Sequence, residues 1–265
     1  MSEQAVYSNA PVVLVAFEVR HPTTNTLTSI ERSAIKESLS RWVPIQRSAK
    51  HLEFQAVMGS ATQPEALSEE FPKYFSRDSM LAVSFRKEAI VVETTRYEGW
   101  QALQALVRSA LQARNTVAHL DGIERVGLRY INEIRVPKGG EVDWSAWVDT
   151  SILGPHSLGS KIGMPVSQWQ GIGVYGNQPG QALVLRYGPR EGYVVDDNPE
   201  LRRVPPKAGA FMWLDIDSFW LPEDITPEFD VDRIDSLSNE LHEPVHALFE
   251  TLITDRLRDE VLRGA

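Results

Sequence analysis

The chain has 265 residues, 42% of them apolar, with 27 Lys plus Arg against 36 Asp plus Glu for a net charge of −9. That balance suits one large core or two fused halves and argues against a duplex-binding protein, which normally shows a basic excess or a concentrated basic stripe. Cysteine is absent, which removes disulfides, thiolate metal sites and a cysteine nucleophile; with no basic start, apolar leader or long apolar run, the expectation is a cytoplasmic protein without a membrane partner.

Residues Val12 to Val19 are apolar and β-branched and predict a buried strand that ends before His21-Pro22. Thr28 or Ser29 then caps a helix carrying Ile30, Ala34, Ile35 and Leu39, closed by Val43-Pro44. The alternation from His51 to Met58 predicts a half-buried strand, and the proline-bearing acidic stretch from Thr62 to Arg77 a surface loop. Met80 to Phe85 and Ala89 to Tyr97 flank Arg86-Lys87-Glu88 as a hairpin. After Tyr97-Glu98-Gly99-Trp100 comes an amphipathic helix with Leu103, Leu106, Val107, Ala110, Leu111 and Ala113, then a strand from Glu124 to Val136.

Further strands are expected at Gln168 to Tyr175, Gln181 to Tyr187, Gly192 to Val195 and Ala210 to Phe219, with Gly188-Pro189 as a turn, followed by one long helix from Asp232 to Leu262. Too few helices separate the strands for a doubly wound nucleotide fold. The expectation is an α+β protein, an antiparallel sheet with helices on one face. Its halves, 1–138 and 139–265, are read as sheet-and-helix half-units of a single integral unit, with duplication as an open alternative.

On the strand Arg125-Val-Gly-Leu-Arg-Tyr-Ile-Asn132, Arg125, Arg129 and Arg135 share one side, because side chains alternate. Three guanidinium groups could hold an anion or an acidic partner, or could neutralise carboxylates on the next strand. Asp215 and Asp217 share a face of Phe211 to Trp220 and are the expected ion-pair partners. His242-Glu243-Pro244-Val245-His246 spells the zincin pattern, with His242 and His246 as metal ligands and Glu243 as general base. Against it, Pro244 tends to kink the helix, and a third ligand would come from Glu250, Asp255, Asp259 or Glu260. Gly171-x-Gly173-x-x-Gly176 opens no helix and is read as hairpin glycine. Trp144, Trp147, Trp169, Trp213 and Trp220 are read as core packing, with a ligand pocket as the alternative.

The Val12 to Arg20 opening, Tyr97-Glu98-Gly99-Trp100, Arg125 to Asn132, Leu214-Asp-Ile-Asp217 and Leu241-His242 with Phe249 to Ile253 together resemble a sporadically distributed, uncharacterised family of bacterial proteins. The resemblance spans nearly the whole chain and implies one integral unit. It carries no reaction or ligand, and its patchy distribution suggests mobile, defence-linked or toxin–antitoxin genes. The expectation is therefore a non-enzymatic, cofactor-free protein-binding chain, such as an antitoxin, immunity or accessory component. A zinc hydrolase at His242 and His246, or a sensor of a small anionic ligand at the arginines, is the alternative. The acidic second half, with Asp196, Asp197, Asp215, Asp217 and the run from Glu223 to Asp235, would favour a basic protein partner.

Overall fold

The computed structural model describes residues 7–54, 66–137, 142–164, 166, 168–176, 178–195 and 200–264. Along the chain run β1 (Val12–Arg20), α1 (Ser29–Ser38), β2 (Ile45–Phe54), β3 (Ala66–Phe75), β4 (Leu81–Phe85), β5 (Ala89–Thr94), α2 (Trp100–Val117) and β6 (Arg125–Ile134). Then follow α3 (His156–Ile162), β7 (Gly171–Tyr175), β8 (Gln181–Gly192), β9 (Gly209–Trp220) and α4 (Val231–Leu252). All nine strands form one antiparallel sheet in the order β2-β3-β4-β5-β1-β6-β9-β8-β7. This is an α+β fold, and the sheet runs unbroken through both halves of the sequence because β6 lies between β1 and β9.

Local sequence accounts for the elements. Thr28 and Glu31 form a reciprocal capping box that starts α1. Asp230 caps α4 by accepting from the amides of Asp232 and Arg233. Each strand turns alternate residues to one side, so Val15, Phe17, Val126, Leu128, Met212, Leu214 and Ile216 meet the buried stripes of α2 and α4 in a single core. α4 packs on β6 and β9, while α2 packs on β5, α1 and α4. On the opposite side of the sheet, Phe75, Ala82 and Leu201 form a small apolar cluster, and Ile131, Phe211 and Trp213 another; Val194 and Val195 pack on the second.

Three sequence expectations need correction. The expected loop from Thr62 to Arg77 contains β3, although residues 62–65 lie outside the described residues, as do Asp196, Asp197 and the end of the expected strand at Met58. Pro72 hid it. β3 has a second ladder, with β4, only over Lys73–Phe75, so Pro72 sits beyond the doubly paired part where a proline is tolerated. Likewise the expected turn at Gly188-Pro189 does not divide two strands: β8 runs through both residues, because beyond Tyr187 its sole ladder is with β9. Finally, the long terminal helix breaks at Ile253, which forms an antiparallel bridge with Val148. Thr254 then caps the short helical segment that follows. Pro244, by contrast, stands inside α4 without ending it.

Candidate functional site

The strand β6 divides the chemistry of the molecule between the two sides of the sheet. On one side Arg129 makes a bidentate pair with Asp215, through Nε and Nη2 at 2.7 Å each, and Arg186 approaches the same carboxylate at 3.5 Å. Asp215 is completely buried beneath them. Arg125 donates to Glu18 at 2.9 Å and lies 3.6 Å from Asp217. Gly127 makes this possible: a Cβ there would stand 2.2 Å from Nη1 of Arg125, so only glycine lets the guanidinium lie flat across the strand.

Arg135 is not brought to the other two arginines. It follows β6 and donates to Glu133 at 2.7 Å and to the carbonyl of Gly209 at 3.1 Å, with its guanidinium over Phe211. Glu133 is itself buried and accepts from Arg203 at 2.9 and 2.6 Å and from the Val194 amide at 2.8 Å. Burial pushes its carboxyl upward, but the bonds from Arg203, Val194 and Arg135 outweigh this and hold it below the usual range. Arg135 and Glu133 thus clamp a crossing segment onto the sheet. In this network four arginines, Arg20, Arg125, Arg129 and Arg186, meet three carboxylates, Glu18, Asp215 and Asp217, so each guanidinium already faces an acidic partner.

On the other side of the sheet lies a cleft of about 110 Å³ between β6, α4 and the start of α2. Tyr130 and Asn132 of β6, Ile216 of β9 and Val12 of β1 form its floor; Tyr97 and Trp100 come from the turn before α2; His242, Val245, His246, Phe249 and Glu250 line one face of α4. Tyr7, Ala10 and Pro11 complete it. Gly99 brings Tyr97 and Trp100 to the same place, since its φ of 116° turns the chain where an L side chain would be strained. β1, the turn before α2, β6, β9 and α4 all contribute to this lining.

Its polar groups are held in place by one another. The Tyr130 hydroxyl donates to that of Tyr97 at 3.1 Å, with the rings edge to face, and burial raises both phenols above their ordinary range. Trp100 donates from Nε1 to Asn239 at 2.9 Å and stacks on His242, with ring centroids 4.4 Å apart and 8° between planes. Burial, with a smaller contribution from the neighbouring His246, lowers His242 to about 4. The Tyr7 hydroxyl donates to both oxygens of Glu250, at 2.9 and 3.0 Å, and Arg258 donates to the same carboxylate at 3.0 Å.

The zincin pattern thus places His242 and His246 on the cleft side of α4, with ring centroids 6.3 Å apart, and leaves Glu243 exposed and off the lining. Among the described residues no three His, Asp or Glu side chains are grouped to hold a metal ion. Each proposed third ligand has an arginine partner: Glu250 and Asp255 with Arg258, Asp259 with Arg263, and Glu260 with Arg256.

Sequence reasoning singled out neither Tyr97, Tyr130 and Phe249 as site residues nor Tyr7 at all. The signal lay in a convergence of segments that only the sheet order reveals. Of the tryptophans put forward, Trp144, Trp147, Trp169 and Trp213 are buried, whereas the tryptophan that lines the cleft is Trp100. No family model matches the chain, and no curated protein resembles it.

Proposed function

We propose that the chain is a non-enzymatic binding protein of the cytoplasm, in which the cleft between β6, α2 and α4 receives one anchor side chain of a protein partner. The observation that carries this reading is the cleft's combination of size and lining. At about 110 Å³ it is well below the roughly 300–1,000 Å³ of ordinary small-molecule sites, but near the roughly 150 Å³ that accommodates a single benzene ring. A space of that size, walled by aromatic rings, suits the buried anchor that dominates many protein interfaces.

Three of the cleft's titrating groups, Tyr97, Tyr130 and His242, favour binding over proton transfer. Two phenols raised above their ordinary range and an imidazole lowered to about 4 are poorly placed for acid–base work near neutrality, where a catalytic group needs a pKa close to the working pH. The arginine network serves as an internal brace of the sheet. A screen of capped amino acids by ligand-detected NMR tests the proposal. At least one should bind at millimolar concentration and lose binding in Ala10→Trp, which fills the cleft; if none binds, or if Ala10→Trp binds equally well, the proposal fails.

A further inference from the structure

We propose, building on the binding reading of the cleft, that its occupant is a cation: the ammonium or guanidinium end of a lysine or arginine side chain on a basic partner. The lining is rich in π-systems, with Tyr7, Tyr97, Trp100, Tyr130 and Phe249, and no lysine or arginine belongs to it. Its one carboxylate is Glu250. Cations bind where aromatic rings surround them and a nearby carboxylate adds attraction.

The charge count favours the same occupant. Arg258 is shared by two carboxylates, Glu250 at 3.0 Å and Asp255 at 2.7 Å, so this group of three carries a net charge of −1 beside the cleft. The other pairs on the closing helical segment, Arg256 with Glu260 and Arg263 with Asp259, are balanced. From α4 the cleft meets His242 and His246, from β6 Tyr130 and Asn132, and from the turn before α2 Tyr97 and Trp100, so Glu250 is the one acidic side chain among the residues of its wall. An incoming carboxylate or phosphate would meet like charge. A chain of net charge −9 would also attract a basic partner from a distance.

The size fits as well. About 110 Å³ accommodates the head of one basic side chain, while its methylene stem would lie against apolar atoms of the lining.

The test is an NMR titration of the full chain at pH 7.5 and constant ionic strength with four probes: N-acetyl-arginine amide, tetramethylammonium, p-cresol and benzoate. The indole N–H of Trp100 serves as reporter. The expected result is saturable binding of the two cations in the millimolar range, weakened about tenfold in Glu250→Gln and changed less than threefold in Glu243→Gln, which removes the same charge from the exposed side of α4, off the lining. Saturation by p-cresol or benzoate without the cations would overturn this inference and leave the binding reading standing. An unchanged cation affinity in Glu250→Gln would also overturn it. Binding of none of the four probes in a folded protein would remove both.

Discussion

Asp217 sits mostly buried beside β6 with its nearest guanidinium, Arg125, at 3.6 Å, and burial raises its carboxyl above the usual range in spite of Arg125 and Arg129. A carboxylic acid whose folded pKa is raised favours the folded state below its unfolded pKa and costs stability above it. Asp217→Asn should therefore raise stability at pH 7 by about 0.5–1 kcal/mol, a gain that fades as the pH approaches 4; chemical denaturation at both pH values measures it. The opposite holds for Arg129→Ala. Removing a buried pair's partner costs about 3–5 kcal/mol, but Arg129 is nearly half exposed and Arg186 remains at 3.5 Å from Asp215, so about 2 kcal/mol is expected. His242 has a sign of its own. Its folded value of about 4 lies below the ordinary 6.5, so the stability present above pH 6.5 should be lost as the pH falls toward 4. Denaturation midpoints of wild type and His242→Leu across that window check it, since the variant should lose this part of the pH dependence.

At the scale of elements, α4 holds a proline where a helix usually forbids one. Pro244 lacks an amide hydrogen to give Glu240 and lies on the exposed side of the helix, whereas the cleft residues His242, Val245, His246 and Phe249 lie on the inner side. Pro244→Ala should raise the denaturation midpoint, by about 1–2 kcal/mol in stability, and leave probe binding at the cleft unchanged. The elements also show what the sequence could and could not convey. The apolar and β-branched residues of β6 and the helical spacing of Leu103, Leu106, Val107, Ala110 and Leu111 identified β6 and α2, the strand buried on both sides and the helix along one stripe. β3 and the second half of β8 escaped because Pro72 and Pro189 signal turns unless one knows that the strand there is paired on one side alone. The break at Ile253 depends on Val148, more than a hundred residues away, and no local pattern reports it. The cleft was hidden for the same reason. Tyr97, Tyr130 and Phe249 become one site only when β1, β6 and β9 are neighbours and α4 lies across β6 and β9.

At the scale of the molecule, no described helix is long and apolar enough to cross a membrane, and the chain carries an acidic excess. Random-sequence DNA or RNA should not bind at near-physiological salt, since Arg125 and Arg129 already face carboxylates; a gel-shift experiment showing micromolar affinity with a steep salt slope would contradict this. Residues near the two ends of the chain lie side by side. The Asn9 amide donates to the Leu262 carbonyl at 3.0 Å, the Ser8 hydroxyl to the Arg263 carbonyl at 2.7 Å, and Tyr7 reaches Glu250. Tyr7 and Ala10 line the cleft, and the bonds of Ser8 and Asn9 to residues 261–263 form a clasp that ties that segment down beside it. The molecule is therefore sensitive to mechanical load in one particular direction. Force applied between residues 8 and 263 would peel this clasp first and strip Tyr7 from the wall, long before it reached the ladders of the sheet.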